Sequence, residues 1–200
     1  MDELEERDPF HSTLSRERAA RMGMWLFVLV VGLLFAAALL GYAVVRVSPS
    51  DGREWRPEGT PGLPWTLLAS TLAILASSLA LHRSLVAVRQ GRLSACSRSA
   101  SAAYWLGFAF VILQGIAWWT MWQQVRIQDN LYAWTFYVLT ALHVFHVLGG
   151  IYALGVVASR AQAGQYRSDS HNGIVLCGIY WHSLDAIWLV LYATLWIGSR

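Results

Sequence analysis

Asp185 stands three residues after His182 inside an apolar run, and His143 and His146 repeat that spacing in the run before it. On a helix, a three-residue spacing puts both members of a pair on one face. Carboxylate and imidazole sharing a face are the groups of proton transfer and of metal or haem ligation. Gln114, Thr140, Ser77 and Ser78 are further polar side chains placed in such runs. An ionisable group deep in a bilayer costs about 2.5–3.5 kcal/mol on insertion scales, so each one asks for a partner or a task. The expectation is that these groups converge in one interhelical polar network.

Three kinds of chemistry compete for them. Haem ligation would need a second helix to supply His182 or His82, because His143 and His146 on one helix face cannot sit on opposite sides of one haem. A carboxylate metal site needs several acids, and the apolar runs offer only Asp185. A proton path would titrate Asp185 without a relay of further acids. The reading adopted is structural: His143, His146, His182 and Asp185 hydrogen-bond between helices, with no catalytic, cofactor-binding or metal-binding residue in this chain. Ser183 beside His182 makes no nucleophilic dyad, since adjacent helical residues point apart. Walker-type phosphate loops and the HExxH metalloprotease motif are absent from the sequence. A small haem-binding or proton-translocating membrane protein is the alternative of another class.

The elements that must position these groups follow from composition. Of 200 residues, 56% are hydrophobic and 14% charged, with a mean hydropathy of +0.43, whereas soluble domains carry about 25% charged residues. Residues 22–45 contain no charged side chain, and similar runs recur at about 63–83, 101–125, 131–158 and 172–198. Each can cross a hydrocarbon core of about 30 Å as a helix. The fold class is therefore an all-α membrane bundle of five transmembrane helices, occupying residues 22–200 behind a polar tail at 1–21. The first run is too long for a cleaved signal's apolar core and is read as a permanent span. Pro49, Asp51, Gly52, Pro57, Gly59, Pro61 and Gly62 mark a breaker-rich loop after it, and Arg92 to Arg98 reads as a short basic loop.

All 15 basic residues are Arg. Ten of them (Arg7, Arg16, Arg18, Arg21, Arg83, Arg89, Arg92, Arg98, Arg160, Arg167) fall on one side of the expected topology and five (Arg46, Arg53, Arg56, Arg126, Arg200) on the other. That bias predicts a cytoplasmic N-terminus and an external C-terminus. Trp25, Trp65, Trp122, Trp134 and Trp196 sit near span ends, where interfacial anchors belong. Ala69, Ala73 and Ser77, and more weakly Gly32 with Ala36, form small-residue stripes that predict close helix contacts and a central second span. Cys96 in a loop and Cys177 in a span would lie at different depths and form no disulfide. The net charge of +3 belongs to loops, and without a basic stripe beside an aromatic platform nucleic acid is excluded as a partner.

The sequence FYVLTALHVFHVLGG from Phe136 to Gly150, and YWHSLDAIW from Tyr180 to Trp188, resemble subunit III of the haem-copper respiratory oxidases. Phe136, Leu139, Thr140, His143, His146 and Gly150 carry that family's penultimate-helix pattern. Tyr180, Trp181, His182, Asp185 and Trp188 carry its last-helix pattern, with Ser183 in place of the usual aromatic residue, and His171 and Gly173 match the lead-in to that helix. Gly23, Trp25, Leu26 and Phe27 resemble the family's opening helix, Thr71, Ser77 and Ser78 its Ser/Thr-rich second segment, and Leu106, Gly107 and Gln114 its third. The likeness is to the short, five-helix bacterial form.

What the resemblance implies is an accessory subunit without its own active site, in the bacterial plasma membrane, within a cytochrome c or quinol oxidase. The haems and copper would reside in subunits I and II. This chain would contact mainly subunit I, bind phospholipid, and support proton uptake and oxygen supply. In physical terms, the polar network would lock the last two spans in register, apolar clefts would receive acyl chains, and rim Arg side chains would meet lipid phosphates. Val31 and Ala117 stand where many members carry a buried Glu, so a proton-handling role for that Glu does not transfer to this chain. These departures keep open a second reading, the subunit-III-like protein that accompanies nitric oxide reductases.

Overall fold

A chain in lipid must satisfy its backbone hydrogen bonds within itself, and an uninterrupted apolar run does so as a helix. The computed structural model describes residues 13–47, 55, 62–125 and 131–199. Five helices account for nearly all of them, with no strand among the described residues: α1 (Thr13–Val47), α2 (Thr66–Arg89), α3 (Leu93–Gln124), α4 (Leu131–Gln162) and α5 (Asn172–Gly198). All five are long and apolar enough to cross a membrane. Residues 1–12 of the expected tail, most of the breaker-rich loop, and Arg7, Arg53, Arg56, Arg126 and Arg200 from the charge comparison lie outside the described residues.

The fifth helix keeps the bounds of its apolar run, while other helix ends differ from theirs. α1 starts at Thr13, within the stretch read as tail, and α3 starts at Leu93, so Arg98 and Cys96 are helical rather than in a basic loop. The apolar window marks only the part that must sit in hydrocarbon, while Arg, Ser and Ala continue a helix well into the interface. What stops α2 and α4 is glycine. Gly91 and Gly164 adopt φ +70° and +67°, and each completes a Schellman closure. At α2 the bonds are Arg92 N–H to Ala87 O and Gly91 N–H to Val88 O; at α4 they are Gln165 N–H to Arg160 O and Gly164 N–H to Ala161 O. The first makes a tight α2–α3 hairpin joined only through Gln90, Gly91 and Arg92.

α5 packs on α1, α2 and α4, and α4 packs on α1, α3 and α5, while the closest helix pair is α2 with α3. α1 and α5 run parallel: the Arg21 guanidinium donates to Asn172 Oδ1 at 3.1 Å near one end, and Arg46 donates to Ile197 O at 3.4 Å near the other. Residues 13 and 199 therefore lie at opposite ends of the bundle. α1 buries only a narrow seam of Val31, Phe35 and Tyr42, a spacing of four then seven residues that holds one face.

The small-residue stripes also differ from expectation. α2 buries Ser70, Ile74, Ser77, Leu81 and Ser84 rather than the Ala69–Ala73 line. Ser77 Oγ donates to Ala103 O at 2.7 Å and Ser84 Oγ to Cys96 O at 3.0 Å, so serine hydroxyls tie α2 to α3 by hydrogen bonds. A Cβ at Gly32 would meet nothing within 4 Å. Close approach occurs instead around Trp181, which is fully buried. A Cβ at Gly107 would lie 2.9 Å from its indole, and one at Gly150 2.8 Å, so both glycines exist to admit that ring between α3, α4 and α5.

Candidate functional site

Ser78, His182 and Asp185 form the one cluster that joins a carboxylate, an imidazole and a hydroxyl among the described residues. Ser78 Oγ and His182 Nδ1 lie 2.5 Å apart across the α2–α5 contact. Asp185 Oδ2 is 3.9 Å from the same Nδ1, beyond direct hydrogen-bond reach but close enough for charge attraction. Asp185 Oδ1 is buried without a hydrogen-bond partner. The side chain of Asp185 is 8% exposed and that of His182 46%, so the imidazole reaches the outside of the bundle while the carboxylate stays within.

Two further bridges continue along the α2–α3–α5 seam. Trp188 Nε1 donates to Thr71 Oγ1 at 2.9 Å, joining α5 to α2. Gln114 Nε2 donates to Ser70 Oγ at 3.2 Å, joining α3 to α2, while Gln114 Oε1 has no partner. Thr140 belongs elsewhere: it receives the Trp118 indole N–H at 3.0 Å between α3 and α4 and donates back to Phe136 O.

The histidines of α4 take a different course. His143 is fully buried, and neither ring nitrogen has a hydrogen-bond partner. Its ring packs against Trp188 at 5.1 Å, Phe110 at 5.8 Å and Phe35 at 6.0 Å. His143 thus serves as a flat ring in an aromatic cage. His146 turns back on its own helix, with Nδ1 2.8 Å from Leu142 O, and packs against Phe35 at 5.3 Å. The polar tie between α4 and α5 comes from Tyr180, whose hydroxyl donates to His146 O at 3.0 Å.

The single network expected of Gln114, Thr140, His143, His146, His182 and Asp185 is therefore several local bridges. Spacing told which residues share a face, but not which neighbour the face meets. Two participants had a sequence signal that went unused: Ser70 and Ser84 flank Ser77 at seven-residue intervals, a period that keeps one helix face. Trp25 and Phe27 face outward, with Phe27 packed on Tyr180 at 5.5 Å. Trp25, Trp65, Trp122, Trp134 and Trp196 are all exposed. Among the described residues, no three His, Cys, Asp or Glu side chains are grouped as metal ligands would be. Cys96 and Cys177 are free and buried.

Five apolar helices with polar side chains spent on helix-to-helix bonds define a polytopic helical membrane protein. The family model "Cytochrome c oxidase subunit III" matches residues 8–199. A cytochrome c oxidase subunit 3 from Thermostichus vulcanus is 30% identical over 182 residues, covering 90% of this chain and 87% of the relative. That of Synechocystis sp. is 29% identical over 88% of this chain and 74% of its own length, and that of Pisaster ochraceus 32% identical over 95% and 74%. The chain belongs to the cytochrome c oxidase subunit III family. It is a multi-pass membrane protein with a respiratory role, in a complex with other oxidase subunits.

Proposed function

We propose that this chain is the non-catalytic subunit III of a bacterial haem-copper terminal oxidase in the plasma membrane, in contact mainly with subunit I and also with subunit II. The observation that carries the reading is the family match across residues 8–199, which takes in the whole described bundle. The use of its polar side chains fits the reading, since Ser77, Thr71, Trp188 and Tyr180 all bond one helix to another. Haems and copper reside in the partner subunits, and this chain stabilises subunit I and supports proton uptake and oxygen supply. The excess of Arg at the α2–α3 and α4–α5 turns favours a cytoplasmic N-terminus. Phospholipid suits the exposed apolar faces; one groove of about 400 Å³ runs beside Tyr104, Ile151 and Gly155.

The experiment is oxygen consumption by oxidase prepared from membranes with and without this chain. An accessory subunit predicts that the oxidase lacking it keeps its haem spectrum and its initial rate, then loses activity faster during turnover. Loss of the haem bands from subunits that remain assembled would contradict it. An unchanged oxidase, with nitric oxide reduction impaired instead, would transfer the chain to the nitric oxide reductase complex.

A further inference from the structure

The exposed imidazole of His182 stands at a depth where lipid offers it nothing. At about 1.5 Å per residue it lies roughly 15 Å along α5 from Asn172, midway through a core of about 30 Å. Its side chain is 46% exposed. Ser78 occupies Nδ1, which leaves Nε2 as the ring nitrogen without a hydrogen-bond partner among the described residues. Acyl chains neither donate nor accept hydrogen bonds, and a polar group left to them is costly. Just behind it, Asp185 Oδ1 is buried and unpartnered, a second polar atom the chain leaves unsatisfied at the same place.

The surroundings have the relief of a helix seat. Leu75 on α2 and Leu189 on α5 are exposed and share helix faces with Ser78 and with His182 and Asp185 by three-, four- and seven-residue spacing, and exposed Leu79 lies one turn from Leu75. Ala186, beside His182 on the same face and also exposed, leaves room for a backbone to approach. We infer that this α2–α5 face seats a transmembrane helix of another oxidase subunit, which presents a hydrogen-bonding group to His182 Nε2 and closes the Ser78–His182–Asp185 cluster. The inference rests on the oxidase-subunit reading, because membership of that complex supplies the partner. A second copy of this chain and a lipid are the occupants to be tested against it.

The test places the photoreactive residue p-benzoylphenylalanine at Leu79 in the full chain, and at Trp105 on the exposed side of α3 for comparison, in native membranes. Adducts and co-purifying proteins are then identified by mass spectrometry. The expected result is an adduct to an oxidase subunit from position 79. In parallel, His182→Leu reduces the fraction of chain retained with oxidase subunits in detergent by roughly threefold, the weight of one interhelical hydrogen bond in a bilayer, and His182→Gln restores it. Adducts at 79 only to lipid or to a second copy, in a chain that still co-purifies with the oxidase, would overturn the inference and leave the oxidase reading standing. Full retention of His182→Leu would refute the hydrogen bond. A chain that co-purifies with no oxidase subunit would end both.

Discussion

Gly150→Ala is expected to destabilise the bundle even though alanine is the better helix former. The added methyl would sit 2.8 Å from both Cε3 and Cζ3 of Trp181 and 3.3 Å from Leu184 Cδ1. The indole cannot retreat, because it is fully buried and the backbone at Gly107 approaches Cη2 and Cζ2, where a Cβ would lie 2.9 and 3.0 Å away. Overpacking of this kind costs about 1–3 kcal/mol, and removing a helical glycine returns about 0.5–1 kcal/mol. The net loss is about 1 kcal/mol at the middle of these ranges and at most about 2.5 kcal/mol. Gly107→Ala presses on the same ring, so the double substitution should cost more than the sum of the two. Gly115→Ala is the control, since a Cβ there meets nothing within 4 Å. Thermal unfolding of the purified full chain in mild detergent, followed by circular dichroism, reads all four variants. A Gly150→Ala chain as stable as the wild type or as Gly115→Ala would refute the packing argument.

Three further outcomes follow from individual contacts. Trp188→Phe and Thr71→Val each remove the 2.9 Å bond between α5 and α2 and should each cost about 0.5–1.5 kcal/mol, with the double variant little worse than either, measured by the same unfolding assay. His143→Phe should be neutral or stabilising, because it replaces a buried ring with two unpartnered nitrogens by an apolar ring that suits the cage of Phe35, Phe110 and Trp188; strong destabilisation would reveal a partner to that imidazole. Gly91→Ala should lower the unfolding midpoint, since it forces φ +70° on a residue with a Cβ at a cost of about 1–2 kcal/mol, although nothing lies within 4 Å to clash with it.

The number of helices was legible in the sequence because the bilayer imposes one strong rule: about 20 apolar residues per crossing. The absence of charge from residues 22–45 is enough to place the middle of α1, but not its start at Thr13, since no rule obliges a helix to end where lipid does. Cys96 was assigned to a loop for the same reason, its flanking Arg and Ser reading as a connection when they are the first turns of α3. Side-chain partners were less legible. His143 and His182 are both three residues from another ionisable or aromatic polar group, yet one is caged by rings and the other reaches the bundle surface. That difference is set by which helices flank α4 and α5, a tertiary fact that no local spacing contains. The family patterns around His143 and Asp185 mark the positions without stating the geometry.

The proposed role is that of an oxidase subunit that holds no redox centre of its own. Isolation of the tagged chain from native membranes in a mild detergent tests it most directly, with every co-purifying protein identified and the reduced-minus-oxidised spectrum recorded before and after the subunits are separated. The account predicts haem-copper subunits I and II in the eluate, oxygen-reducing activity, and haem bands that leave with those partners. A chain recovered alone with a haem band of its own would contradict it.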